Sequence, residues 1–434
     1  MKDKVNLFVR IGLWAVLILG FVQCTPAPAV EPTSAPPATS APEAVTLELD
    51  NDGTMNWDPA TVWQKDQFEA KYPYIKINFH ETPYDQHQEQ LIRMASGAQE
   101  PYDVWQPTDQ WIPGLMDTGI FMPIDQLFPP EKLSLYAEWQ QEAMQDNDGN
   151  IVGVPVFGAV PVFMYRVDLL EAAGYDRPPA TWEELATYAV KLTDAENNIW
   201  GFVDTEDSLN KFWHWLIQAG GKPFNDDGTA AFNSDAGVTA LQFLVDLRNE
   251  YKVVPPGASS WMTEDEQMFF IKGNAAMTLS WAYGIDRAAN SEDSVIKDKF
   301  SVAKFPVGPG NTTATAYEAN YYFIPKTIKP EKLDAALKWL DYVSSYEAQV
   351  GMLVHEPGNY VSIPSAYDAP EVKESVPFAD VLKAQVETAV NVRHANQGEI
   401  SDILLAEIQA ALLGQKTPKQ ALDDAAAKVN ELVK

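Results

Sequence analysis

From Val45 onward, apolar and polar residues alternate in two periods, and the switches between them predict the elements. VTLELD (45–50) puts an apolar side chain at every second position, as a half-buried strand does. Ala60–Lys71 carries helical spacing, and Tyr74–His80 returns to period two through Ile75, Ile77 and Phe79. Helical patterning follows over Tyr84–Ser96, then a short apolar strand over Tyr102–Trp105. The two kinds of segment keep taking turns, which predicts an α/β architecture.

Several helix ends are marked as well. Thr181-Trp182-Glu183-Glu184 is a capping box, in which hydroxyl and carboxylate satisfy free backbone donors reciprocally. Pro330 and Pro418 each open an apolar-periodic segment, where a missing N–H is harmless. Leu333, Leu337 and Leu340 then share one helical face, as do Ile403, Leu404, Ile408 and Leu412. Asp-Gly steps at 52–53, 148–149 and 227–228 predict tight turns. Asp146-Asn147-Asp148-Gly149 resembles the start of a calcium loop but lacks the closing glutamate, so a turn or hairpin is expected. No internal repeat is present.

At 434 residues the chain can bury more than one core, and two lobes are expected. A hydrophobic fraction of 46% with 13 Trp, 17 Tyr and 19 Phe indicates a folded globule rather than disorder. The formal charge is −30; residues 1–23 carry Lys2, Lys4 and Arg10 against Asp3, so the chain from Cys24 onward stands near −32. Such a surface repels phosphate backbones and anionic lipid, which argues against a nucleic-acid partner and favours neutral or cationic solutes.

Those N-terminal cations precede an apolar run from Ile11 to Val22, too short to span a bilayer but suited to a signal-peptide core. Cys24, the single cysteine of the chain, follows directly and cannot form an internal disulfide. The segment resembles a bacterial lipoprotein signal, which implies cleavage and lipidation at Cys24. Phe21 and Gln23 depart from the smaller residues usual there, and an ordinary cleaved signal with an incidental cysteine is the alternative. Residues 25–44, TPAPAVEPTSAPPATSAPEA, favour extended PPII-like backbone and read as a spacer from the membrane.

Catalytic patterns are scarce. His80 and His87 stand seven apart, and His214, His355 and His394 have no partner at metal-ligand spacing. The chain has no zinc-protease helix motif, nucleophile-elbow serine or phosphate-binding glycine loop. Carboxylates are numerous, so a glycosidase pair is not excluded by counting. The expectation is a chain without cofactor, metal or catalytic residue.

Five collinear stretches resemble the family 1 extracellular solute-binding proteins, the carbohydrate-binding subunits of ABC importers related to maltose-binding protein. They are YPYIKINFHETPYDQHQEQLIRMASGAQEPYDVWQ (72–106), VGVPVFGAVPVFMYRVDLLEAAGYDRPPATWEELATYAVKLT (152–193), FWHWLIQAGGKPFNDDGTAAFNSDAGVTALQFLVDL (212–247) and FFIKGNAAMTLSWAYG (269–284). The fifth joins FPVGPG (305–310), FIPKTIKPEKLDAALKWLDYVSS (323–345) and GQKTPKQALDDAAAKVNEL (414–432). The resemblance implies a two-lobe periplasmic-binding-protein fold with a ligand cleft between lobes joined by hinge crossings. Crossings are then expected near 154–160, 305–316 and 344–350, with lobe 1 at 45–155 plus 316–345 and lobe 2 at 158–305 plus 350–434.

A pyranose presents an apolar C–H face and a rim of hydroxyls, so its site needs flat aromatic faces and bidentate donors or acceptors. At the loop ends where the family places its pocket stand Trp57, Trp105, Gln106, Asp109, Trp111, Phe157, Trp213, Trp281, Tyr283, Asn320, Tyr321, Glu356 and Asn359. Trp281 is implied by the resemblance as a stacking platform. Each has a plain alternative: core packing for tryptophans in general, with Trp111 or Trp215 only packing their helices, core packing for Phe157, a solvated helix cap for Asp109, strand residues of the hinge for Asn320 and Tyr321. The expected protein is an extracytoplasmic, lipid-anchored monomer that binds a mono- or oligosaccharide and delivers it to importer transmembrane subunits. A polyol, glycerol-phosphate or polyamine is the alternative solute; a secreted polysaccharide-active enzyme or a sensory lipoprotein is the remote reading.

Overall fold

A computed structural model describes residues 43–434 except 52–58, 83–88, 91–92, 95, 99–100, 108–111, 117, 160, 206–208 and 359–360. Its strands are β1 (Val45–Asn51), β2 (Ile75–Glu81), β3 (Val104–Trp105), β4 (Gly153–Ala159), β5 (Pro161–Arg166), β6 (Met277–Trp281), β7 (Phe300–Ala303), β8 (Ala316–Phe323) and β9 (Val390–Asn391). They form two sheets. One has the order β2-β1-β3-β8-β4 with β9 added on β8; the other has the order β6-β5-β7. β1 runs parallel to β2 and β3, while β8 runs antiparallel to β3 and β4. The smaller sheet is antiparallel throughout.

The alternation at the start of the chain is realised directly. Leu47 and Leu49 of β1, and Ile75 and Ile77 of β2, point into one core. The Pro59–Lys71 and Pro330–Val343 helices also feed that core, Phe68 meeting Trp339 edge-on with ring centroids 5.0 Å apart. A second core collects Phe163, Trp182, Trp213, Trp215, Phe232, Leu404, Ile408 and Leu422. Its helices are Trp182–Leu192, Leu209–Gln218, Asp235–Val245, Gln397–Leu412 and Pro418–Leu432. Of the 84–96 helical stretch, residues 89–90, 93–94 and 96 are described; the first four are helical and Ser96 stands in a turn.

Both predicted prolines sit in the first helical turn. The capping box is half realised. Thr181 Oγ1 accepts from the Glu184 N–H at 3.2 Å, but the Glu184 carboxylate takes the N–H of Ala180 instead, at 2.7 Å. Arg177 draws that carboxylate aside with two hydrogen bonds of 2.7 and 2.8 Å. The Asp146 cluster is a turn: one carboxylate oxygen accepts from the N–H groups of Asp148 and Asn150, and Gly149 stands at φ +83°. The Asp227-Gly228 step closes a similar turn, with Phe224 bridged to Ala230; the step at 52–53 lies outside the described residues.

The chain passes from the larger sheet to the smaller at residue 160, between β4 and β5, and returns over 304–315, between β7 and β8. Residues 344–350, where a third passage is expected, open the Tyr346–His355 helix, which lies along the Pro59–Lys71 helix, with His355 stacked on Trp63 at 4.9 Å. Further on, Arg393 Nη1 donates to the Glu142 carbonyl at 3.2 Å, and His394 Nε2 meets the Gly228 carbonyl at 3.0 Å.

Gly351 tests that helix packing. A Cβ there would fall 1.8 Å from the Trp63 ring. A Gly→Ala change inside a helix ordinarily stabilises by about 0.5–1 kcal/mol. Gly351→Ala is expected instead to destabilise by about 1–3 kcal/mol through overpacking. Urea denaturation should show that loss, and Trp63→Ala in the same chain should relieve it.

Candidate functional site

Among the described candidates, Trp105 and Trp281 each end a strand and Gln106 follows β3, positions of the kind where ligands of open α/β folds sit. Trp281 is the last residue of β6 and pairs with Pro161, the residue that follows the first passage. The β6 strand is held from beneath by the buried side of the Thr263–Ile271 helix. Glu266 accepts from Lys211 Nζ at 2.8 Å and from Thr278 Oγ1 at 2.9 Å, and Gln267 Nε2 donates to Ser280 Oγ at 3.1 Å. These groups are all buried, so the strand that ends in Trp281 is fixed by charge-assisted bonds in a low-dielectric interior.

Tyr283 follows on a new helix and lies half-buried, with the Arg287 guanidinium 5.6 Å from its ring centroid. Gly358 comes against the same turn: a Cβ there would lie 2.9 Å from Tyr283 Cα and 3.1 Å from the Ala282 carbonyl oxygen. Glu356, two residues earlier, is half-buried.

On the larger sheet, Trp105 ends β3 and pairs with Asp50 at the end of β1. Trp105 is fully buried, and its indole N–H has no hydrogen-bond partner. Gln106 donates its backbone N–H to the Asp50 carbonyl at 3.0 Å. Its side chain is fully buried, with neither the amide nitrogen nor the amide oxygen paired. Asp50 is buried as well and accepts from Thr82 Oγ1 at 2.6 Å. Sequence reasoning missed Asp50 and Thr82. The signal was available, since both stand at C-terminal ends of parallel strands.

Asn320 and Phe157 face each other across the β4–β8 ladder, where a bulge interrupts β4 between Pro155 and Phe157. Tyr321 and Tyr317 of β8 are buried; burial pushes the Tyr317 phenol up to about 12 and the Tyr321 phenol further. Both remain neutral donors at any physiological pH. Gly158 is required here, because a Cβ would fall 1.8 Å from the Tyr317 hydroxyl.

Trp213 is placed elsewhere. It is fully buried in the second core among Phe212, Phe224 and Phe232, because the Leu209–Gln218 helix turns its whole apolar face inward. Trp57, Asp109, Trp111, Asn359 and Cys24, and the Phe157 side chain, lie outside the described residues.

One residue that sequence reasoning set aside belongs to this region. His214, on the same helix as Trp213, is fully buried and accepts the Ala316 N–H at Nδ1, 3.0 Å away. Its ring meets Trp281 edge-to-face at 5.9 Å. Burial, and then the Lys211 charge, hold its pKa well below 6.5, so the imidazole is neutral. With Nδ1 accepting, the proton sits on Nε2. Among the described residues no group of three His, Cys, Asp or Glu side chains gathers as a metal site would require. No described helix is long and apolar enough to cross a membrane.

Residues 58–350 match the family described as Bacterial extracellular solute-binding protein. A binding protein of Brucella abortus is 25% identical over 377 residues, 85% of this chain and 89% of that one. The arabinooligosaccharide-binding protein of Bacillus subtilis is 23% identical over 319 residues, 70% and 71% of the two chains. Among solved structures, maltose-bound MalE3 of T. maritima superposes with a TM-score of 0.80 at 30% identity, covering 90% of this chain and all of the other.

The buried neutral His214 makes a pH prediction. Below about pH 6.5 an unfolded chain binds a proton at this histidine that the folded one refuses. Stability should therefore be full above that pH and fall by about 1.4 kcal/mol per unit below it, until the depressed folded pKa is reached. Urea titrations of native and His214→Asn protein between pH 7.5 and 5 should differ by that slope.

Proposed function

Because the chain belongs to the bacterial extracellular solute-binding proteins, we propose that it is the receptor of an ABC importer for a sugar. The lobes we assign are 45–159 with 316–389, and 161–303 with 397–434, the ligand lying between them. The observation that carries the reading is the Gln106 side chain: a fully buried primary amide, unpaired at both atoms, at a strand end beside Trp105. An unpaired buried polar group costs about 1–3 kcal/mol, and a hydroxyl-rich guest that both donates and accepts would remove that cost. Asn320 and Glu356 would extend the polar contacts. Trp281 and Tyr283 would supply the flat faces that a pyranose ring stacks on.

Two relatives support a saccharide: the maltose-bound T. maritima protein and the arabinooligosaccharide-binding protein of Bacillus subtilis. In this mechanism the open lobes expose a wet groove, and a ligand that touches both lobes binds the closed state more tightly and shifts the population toward it. The closed form, a monomer, then presents itself to the importer's transmembrane subunits. No bond in the ligand is made or broken. Cys24 holds the chain to the membrane through its lipid, and residues 25–44 act as the tether.

Calorimetry against maltose, maltotriose and arabino-oligosaccharides, with chromatography of the recovered sugar, tests the binding reading. Saturable binding with unaltered sugar is expected; shortened products would sink it. Trp281→Ala should weaken the bound sugar by at least about 1 kcal/mol beyond lost area. Unchanged affinity in a folded variant would take Trp281 out of the site. Cys24→Ser should move the protein from the membrane to the soluble fraction on fractionation, and retention on the membrane would rule out this anchor.

A further inference from the structure

The β8 strand is shared between two cores. Ala316, its first residue, belongs to the second, whereas Tyr317, Tyr321, Tyr322 and Phe323 belong to the first. Closing one lobe on the other must be absorbed by backbone between those ends, because hinges concentrate the φ/ψ change in a few residues. What anchors Ala316 therefore fixes one end of the pivot. The β4 register stops at the Ala159–Glu318 pair, so β4 does not reach Ala316. Its N–H is taken by a side chain of the Leu209–Gln218 helix of the second core, at His214 Nδ1.

The same imidazole touches three things at once. It holds Ala316, where the second passage ends; it packs at 6.1 Å against Phe305, near where that passage begins; and it meets Trp281 edge-to-face at 5.9 Å. A leucine would fill this volume without leaving Nε2–H buried and unpaired, as it is here. What histidine adds is a rigid ring with an acceptor at Nδ1.

We infer that His214 is a positioning residue for ligand capture: it pins the hinge strand to the helix behind Trp281, so that stacking platform and pivot move as one unit. This rests on the reading of Trp281 as the platform. A ligand seated on Trp281 then pushes through the imidazole on both ends of the 304–315 passage, which couples occupancy of the site to lobe closure.

Two substitutions separate the acceptor from the ring. The amide oxygen of asparagine falls where Nδ1 stands, and that of glutamine falls nearer Nε2. Hydrogen exchange of the Ala316 amide and calorimetry with maltotriose and arabino-oligosaccharides should be run on native protein, H214N, H214Q and H214A. H214L replaces H214A if the alanine variant does not fold. In H214Q and H214A the Ala316 amide is expected to exchange about tenfold faster and the bound sugar to weaken about tenfold, while H214N stays near native in both. Unchanged Ala316 protection in H214A, or native affinity in H214A and H214Q, would overturn the inference. So would an H214N as weak as H214A. If no sugar binds native protein, or W281A binds as native does, the sugar site is wrong. The Ala316 exchange then decides the His214 contact without it.

Discussion

A backbone that runs from one hydrophobic core into another must keep its N–H and C=O groups satisfied and still bend. In this protein β8 carries that burden. Its residues 318–323 are held by β4, Phe323 also by β3, the first two residues of the strand by β9, and Ala316 also by His214. Each partner comes from a different part of the chain, so the strand is hydrogen-bonded along its length without belonging to one rigid ladder. The bulge in β4 opposite Asn320 breaks the register of that ladder midway.

The polar interior of the second lobe serves the same end. Lys211, Glu266 and Thr278 are buried together, and removing one charge would strand the other in a low-dielectric interior. Such a network gains little net stability over packed apolar side chains, but its geometry is specific. It fixes the strand that terminates in Trp281. At the end of β3 the logic reverses: the Gln106 amide is left open. In the proposed site, rigid polar contacts behind Trp281 and an unsatisfied amide at Gln106 would be in place before a guest arrives. Preorganisation then limits the entropy lost on capture.

Much of this was legible along the chain. The alternation in VTLELD and in Tyr74–His80, the prolines at 330 and 418, and the Asp-Gly turns at 148–149 and 227–228 all act within a few residues. They report local backbone geometry, which sequence encodes directly. The collinear resemblance supplied the two-lobe fold. Packing partners were less legible, since an amphipathic helix such as Tyr346–His355 shows that it has a buried face and not which partner covers it. The half-formed capping box at Thr181 failed for a similar reason, as Arg177 competes for the carboxylate from outside the motif.

The site divides the same way. Residue type and position at strand ends made Trp281, Trp105 and Gln106 candidates. Trp105 and the helical Trp213 are both fully buried, and indole chemistry is identical in a pocket and in a packed interior. His214 looked isolated, since its partners are 102 and 67 positions away at Ala316 and Trp281. Periodicity and caps are short-range properties and are settled by sequence alone. Which buried polar atoms find partners, and which are left open for a guest, depends on contacts between distant segments. Only the folded chain decides those.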